Sequence, residues 1–288
     1  ALRRYWPAMK NYNTAIALNP NSGSYPTFQK AISYGFVDRN NKKIETLNEF
    51  INLYPKDPLL DDVLFELASA YSREKNYTKA LEIYDKLINT FKVSPYLGRS
   101  ELNKGLILYN LEQYEFSKLV LEKVAILYKN YSLGEQAIST LKEIAIDRGT
   151  VSNFSKWLKD EKLDKYTNVE IEKTLFDSAE RKFIEGNKNI AFKLLNEYIK
   201  SYPEGAFSKE ASYYLAEIYF EKDKWDEALL AYKSLVSDEV SIYTEKALTR
   251  IIILLKNKNQ QNEAIKYMEK LAEIASYEEN RRFAKFNF

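Results

Sequence analysis

Three columns of residues that recur every 37 positions constrain this chain more than any other feature. Counting back from Ala216 in steps of 37 reaches Ala179, Lys142, Gly105, Ala68 and Ala31, small residues in all but one case. Tyr232 leads in the same way to Leu195, Leu158, Leu121, Tyr84 and Leu47, apolar at every step. Tyr213 leads to Phe176, Ser139, Leu102, Phe65 and Phe28, aromatic or Leu in all but one. A single globular core has no reason to hold three columns on one period. A stack of similar units does, because each unit buries its apolar face only against its neighbours.

The unit is clearest between Ala211 and Val236, ASYYLAEIYFEKDKWDEALLAYKSLV. Ala216 is the small residue at which two helices approach closely, and Tyr219 follows three positions later on the same face. Lys222 to Lys224 form a turn, and Trp225 opens a second helix whose buried stripe is Ala228 and Tyr232. With only 8 Gly and 7 Pro in 288 residues, few breakers interrupt such helices. The period predicts seven antiparallel helical hairpins, beginning near Ser24, Asp61, Gly98, Glu135, Glu172, Lys209 and Glu245. The last slips by one residue, since Ala264 lies 36 after Ala228.

The predicted organisation is therefore serial. Residues 1–20 read as the second helix of a truncated repeat (Tyr5, Ala8, Tyr12 and Ala15, closed by Pro20). Residues 24–166 hold repeats one to four, residues 172–275 repeats five to seven, and residues 278–288 the first helix of a further repeat. Partial units at both ends predict a longer parent protein, because arrays normally end in polar capping units. The fourth repeat is degenerate: Lys142 replaces the small residue, Phe154 stands where the second helix wants Ala, and Gly149-Thr150-Val151-Ser152 interrupts the chain between the helices. With the charged stretch KDEKLDK from Lys159 to Lys165, this predicts a wider turn or a bend.

Chemistry is thinly represented. There are 43 basic and 41 acidic residues, so no net field draws the chain to nucleic acid or to an anionic membrane. His and Cys are both absent, which removes the usual transition-metal ligands, thiol nucleophiles and His-based triads. The longest apolar run, Ile251 to Leu255, is far shorter than a membrane span. No phosphate-binding loop is present, and Asp61-Asp62, Glu112 with Glu115, and Glu278-Glu279 read as solvent-facing helix charges. The expectation is a non-catalytic protein without cofactor or metal.

The sequence of residue types, complete in two units and partial in three more, resembles the tetratricopeptide repeat (TPR): a small residue, an aromatic three later, an aromatic opening the second helix, Ala three after it and an aromatic four further on. These are Ala216, Tyr219, Trp225, Ala228 and Tyr232 in the sixth hairpin, and Ala68, Tyr71, Tyr77, Ala80 and Tyr84 in the second. The resemblance implies an all-α fold, a right-handed TPR-type α-solenoid of antiparallel helix hairpins. The common period is about 34 residues. The extra residues here fall between hairpins, around Tyr54-Pro55-Lys56-Asp57-Pro58 and Tyr202-Pro203-Glu204-Gly205. In this the chain is similar to the extracytoplasmic YbgF/CpoB- and BamD-like repeats of Gram-negative envelope proteins.

What the resemblance implies about function is binding. Its first helices line a concave groove, which here carries Phe65, Tyr109, Phe176, Glu180, Phe183, Glu210, Tyr213, Glu217, Phe220 and Glu221, aromatic anchors among carboxylates. Such a groove suits a basic or amphipathic peptide, unless the same aromatics are spent packing between neighbouring first helices. Ser69 and Ser72, with Leu102 and Leu106, stand where chaperone-tail adaptors need Lys, Asn and Arg, which argues against that ligand. The implied role is a protein- or peptide-binding scaffold of the periplasm or outer membrane, in an assembly, secretion or other envelope complex, associated with the outer membrane through its full-length parent in the manner of a lipoprotein. A cytosolic TPR regulatory or chaperone-like adaptor is the alternative.

Overall fold

The computed structural model describes residues 5–19, 22–163, 168–236 and 240–286. Pro20 and residues 164–165 of the charged stretch lie outside them. Among the described residues there are sixteen helices and no strand. They are α1 (Tyr5–Leu18), α2 (Ser24–Phe36), α3 (Asn40–Leu53), α4 (Leu60–Arg73), α5 (Tyr77–Thr90), α6 (Leu97–Asn110), α7 (Tyr114–Leu127) and α8 (Ser132–Arg148). The series continues with α9 (Val151–Asp160), α10 (Asn168–Ile184), α11 (Lys188–Ser201), α12 (Ser208–Glu221), α13 (Trp225–Ser234), α14 (Ile242–Asn257), α15 (Gln261–Ile274) and α16 (Glu278–Phe286). The chain divides into two compact units, residues 1–144 and 145–288, with the boundary inside α8.

Within the first unit α2 packs on α3, α4 on α5 and α6 on α7, and α1 packs on α2, α3 on α4 and α5 on α6. The second unit repeats this with α10 and α11, α12 and α13, and α14 and α15. The fold is all-α, an array of helical hairpins of the tetratricopeptide type. Second helices begin at Asn40, Tyr77, Tyr114, Val151, Lys188 and Trp225, each 37 after the last, and then at Gln261. The turn before each has its own fixed column. Asp38, Lys75, Glu112, Gly149, Gly186, Asp223 and Asn259 all have positive φ, from 56° to 80°. In this left-handed conformation the next N–H returns to a carbonyl five residues back, as from Asn76 to Tyr71 (2.9 Å) and from Lys224 to Tyr219 (3.0 Å), which closes the first helix.

The fourth hairpin obeys the same rule. Gly149 holds the left-handed position and the Thr150 N–H reaches the Ala145 carbonyl at 2.8 Å, so Gly149-Thr150 is a turn of ordinary width and Val151-Ser152 already belong to α9. The wider turn predicted here does not occur, because Gly149 meets the one demand that every turn in the array makes. What differs is the other end of α9. Lys162 adopts φ 55° and the Leu163 N–H bonds the Leu158 carbonyl (2.8 Å), stopping the helix after ten residues. Starts of first helices vary more: α14 begins at Ile242, earlier than Glu245, because Ser241 and Thr244 form a reciprocal capping box.

The sequence columns become the core. Ala31, Ala68, Ala179 and Ala216 are fully buried, and Leu47, Tyr84, Leu121, Leu195 and Tyr232 are buried against them. Gly105 sits so near Leu121 that a Cβ there would lie 2.5 Å from a Leu121 methyl. The second-helix column holds Ala80, Ala191, Ala228 and Ala264, all fully buried, with Ser117 donating to the Gly105 carbonyl at 2.8 Å. Lys142, which breaks the small column, is half-buried.

Candidate functional site

The candidate groove residues lie on first helices, and most polar partners of their carboxylates lie about one repeat away, before or after. Carboxylates do most of this work. In the first unit Asp61 accepts from Ser94 Oγ (2.7 Å) and Asp62 from the Tyr96 hydroxyl (2.6 Å), so these two are not free helix charges. In the second unit Glu172 accepts from the Tyr198 hydroxyl (2.7 Å) and the Ala206 N–H (2.8 Å). Glu180 accepts from Tyr214 (2.7 Å), Glu210 from Tyr243 (3.3 Å), and Glu245 from the Ser276 N–H (2.7 Å). The Glu172 site explains a junction glycine: a Cβ on Gly205 would lie 2.5 Å from both Glu172 Oε1 and the Tyr198 hydroxyl.

Of the sequence-predicted site residues, two belong to the first unit. Phe65 is buried, stacked on Tyr96 with ring centroids 4.7 Å apart. Tyr109 is half-buried, 5.8 Å from Tyr114. In the second unit Phe176 is buried, stacked on Phe207 at 4.6 Å, so neither it nor Phe65 offers a face to a ligand. Glu217 is buried too. It takes two bonds from the Arg250 guanidinium (2.8 and 2.7 Å) and one from the Tyr232 hydroxyl (2.5 Å). Burial pushes this carboxyl up, but the Arg250 and Tyr232 bonds outweigh it and hold the group below the ordinary glutamate range.

The remaining residues form a strip of partly exposed rings across α10, α12 and α14. Phe183 lies 4.7 Å from Tyr214 and carries the Lys188 ammonium 3.3 Å above its ring, and Lys188 also meets Glu221 at 3.1 Å. Tyr213 lies 5.3 Å from Tyr243, with the Lys246 ammonium near both rings, and Arg250 lies 4.5 Å over Phe220. Burial, then the neighbouring carboxylates, push the Tyr213 and Tyr214 hydroxyls well above the ordinary tyrosine value and Tyr243 up to about 12. All three are neutral donors at any physiological pH. Beside the strip, a cleft of about 580 Å³ is lined by Pro203, Gly205, Lys209, Glu210, Ile242 and Tyr243.

The acidic surface read from the sequence is thus largely neutralised. Glu217 and Glu221 are paired with Arg250 and Lys188, partners contributed by α14 and by the start of α11. For Glu217 the signal was present, since carboxylates on first helices recur with Tyr, Arg or Ser some 33 or 34 positions later; Glu221 instead meets Lys188, 33 positions earlier. Among the described residues no cluster of three or more candidate ligands could hold a metal ion, and no helix is long and apolar enough to cross a membrane.

A tetratricopeptide-repeat family model matches residues 62–92 and 210–239. No curated protein matches the chain. Similar solved structures include a tetratricopeptide repeat protein from Parabacteroides merdae, 14% identical over 92% of this chain and 98% of its own, with a TM-score of 0.45. YrrB, described as a TPR protein with an unusual peptide-binding site, is 14% identical over 69% of this chain and 96% of its own, TM-score 0.45. The TPR2AB domain of yeast Sti1, solved as a pHSP90 complex, is 15% identical over 92% and 97%, TM-score 0.39. The matched segments are the second and sixth hairpins, so the chain contains tetratricopeptide repeats, set in an all-α array with a 37-residue step.

Proposed function

We propose that the chain is a non-catalytic protein-interaction scaffold and that the first-helix strip of the second unit holds its ligand, a peptide or an extended segment of a partner protein. One observation carries this reading: Phe183, Tyr213, Tyr214, Phe220 and Tyr243 keep exposed edges along three successive first helices, although deeper aromatics such as Phe176 are fully packed. Rings held by cation and hydroxyl contacts are rigid anchors, which bind at low entropic cost. Since Glu221 and Glu217 are already met by Lys188 and Arg250, and Glu180 and Glu210 by the Tyr214 and Tyr243 hydroxyls, the ligand that fits is amphipathic and apolar at its anchor points, not strongly basic. Tetratricopeptide repeats generally serve as scaffolds of this kind.

Selection of a random peptide display library on the intact chain tests the proposal. Enriched peptides should carry aromatic or aliphatic anchors and bind at least tenfold more weakly to a Phe183→Ala/Phe220→Ala variant. An enriched set that binds wild type and variant alike would place the site elsewhere.

We further propose a bacterial envelope setting, periplasmic or outer-membrane-associated, supported by the similarity of the Tyr-Pro junctions and long period to extracytoplasmic repeats. A cytosolic regulatory adaptor is the competing reading. Fractionation of native cells separates them: recovery with soluble cytoplasm defeats the envelope setting and leaves the scaffold proposal standing.

A further inference from the structure

In the fourth hairpin Phe154 stands where α11 and α13 bring the fully buried Ala191 and Ala228 against their partners. A ring does not fit that close approach, so α9 turns Ser155 inward with Val151 and Leu158 and leaves Phe154 half-buried. Ser155 is the small member of a column that continues with Phe192 and Leu229. Beside it lies a cleft of about 250 Å³, bounded by α9, the first turns of α10 and the C-terminal end of α11.

The lining of this cleft has two characters. Val151 and Leu175 are each 1% exposed and form an apolar floor with Ile171. Above it, Ser152, Ser155, Lys156 and Lys159 run at i, i+3, i+4 and i+7 along one face of α9, and the Tyr202 hydroxyl faces them from the end of α11. None of these five side chains has a hydrogen bond or an ion pair among the described residues, although Ser155 is only 9% exposed. No carboxylate lines the cleft. On the elements around it, Glu197 accepts from the Ser152 N–H (3.1 Å) and Glu172 from the Tyr198 hydroxyl and the Ala206 N–H. Burial, then Glu172, push the Tyr202 hydroxyl up, which keeps it a neutral donor. Unused donors and cations over an apolar floor are the complement of an anion with an apolar body.

We propose that the cleft binds a small amphiphilic anion, an acid group on a short aliphatic body, with the acid group between Lys156 and Lys159 and the body on Val151, Ile171 and Leu175. Its volume lies just below the ~300–1,000 Å³ of sites for drug-sized ligands, so the occupant is a small molecule and not a helix or a folded partner. Both lysines are exposed to solvent, which screens their charge and keeps the binding weak. The site is separate from the strip of rings, since neither Phe183 nor Phe220 lines it.

NMR titration of the isotope-labelled full chain with hexanoate and with hexyl phosphate tests this. At least one should give saturable shifts at the amides of Ser155, Lys156, Leu175 and Tyr202, and the tighter of the two identifies the acid group. Hexanamide, with the body but no charge, and acetate, with the charge but little body, should each bind at least fivefold more weakly. Lys156→Met combined with Lys159→Met should weaken the anion at least tenfold and leave hexanamide unchanged. Ser155→Phe, which installs the residue type of Phe192, should fill the cleft and abolish binding of both; should it unfold the hairpin, the lysine variant still decides, because its substitutions are on exposed positions. Shifts that do not saturate, acetate binding as well as hexanoate, or a double lysine variant that binds like wild type would each overturn the proposal.

Discussion

Glu217 concentrates the chemistry of the array in one residue. Its column position marks it as a groove residue, yet its oxygens are taken by Arg250 and Tyr232, whose hydroxyl is itself pushed far above the ordinary tyrosine value by burial and by this carboxylate. Replacing it with Gln keeps the shape but leaves Arg250 without its counter-charge, at a cost of about 2 kcal/mol near neutral pH. The sign of the pH dependence follows from the lowered folded value. A carboxyl depressed by folding stabilises fully above its unfolded value of 4.5, and that stability is lost as pH falls through the lower folded value. Denaturation of wild type and Glu217→Gln should therefore differ by a constant amount from pH 7 to about 5, and the difference should shrink below about 4. A gap that persists at pH 2 would mean that the charge is not what the site uses.

At the scale of a helix pair, the second-helix Ala column states how close two helices come. Lys43 occupies that column in the first hairpin and is nearly buried. It is accommodated because Gly35 lies opposite, where an added Cβ would be 3.2 Å from Lys43 Cδ, and because Glu66 pairs with its ammonium at 2.5 Å. The sixth hairpin offers neither: Phe220 stands at the Gly35 position, and Arg250 and Ile251 occupy the stretch equivalent to Glu66. The second hairpin is intermediate, with Ser72 and Asn103. Ala228→Lys should thus cost several kcal/mol, about 3 or more, and Ala80→Lys less, in chemical denaturation. Equal losses would mean that space and counter-charge at these positions do not set the cost. Helix register was legible because small and aromatic residues are chosen by contact distance. The left-handed turn column was not, because five of its seven residues are Asp, Lys, Glu or Asn, which sequence alone reads as solvent-facing.

Across the whole molecule the 37-residue step was legible because every unit repeats the same burial problem. The split of the groove residues into buried Phe65, Phe176 and Glu217 and partly exposed Phe183, Tyr213 and Phe220 was not, because it depends on what the following repeat brings to each. If the repeats are truly equivalent, a whole period can be removed. Deleting residues 188–224 takes out α11 and α12 and joins the Gly186-Asn187 turn directly to Trp225, in register. Ala179 then opposes Ala228 in place of Ala216, Phe176 takes the place of Tyr213, and Glu180 falls where Glu217 stood, within reach of Tyr232 and Arg250. The shortened chain should keep cooperative unfolding, with a denaturant slope about one-eighth lower in proportion to its length. Glu180 provides the decisive readout. In the full chain it is half-buried and accepts from Tyr214, so Glu180→Gln should cost at most about 1 kcal/mol. In the shortened chain the same substitution should cost as much as Glu217→Gln does in the full one. An unchanged effect would show that neighbouring repeats are alike in sequence but not interchangeable in contact.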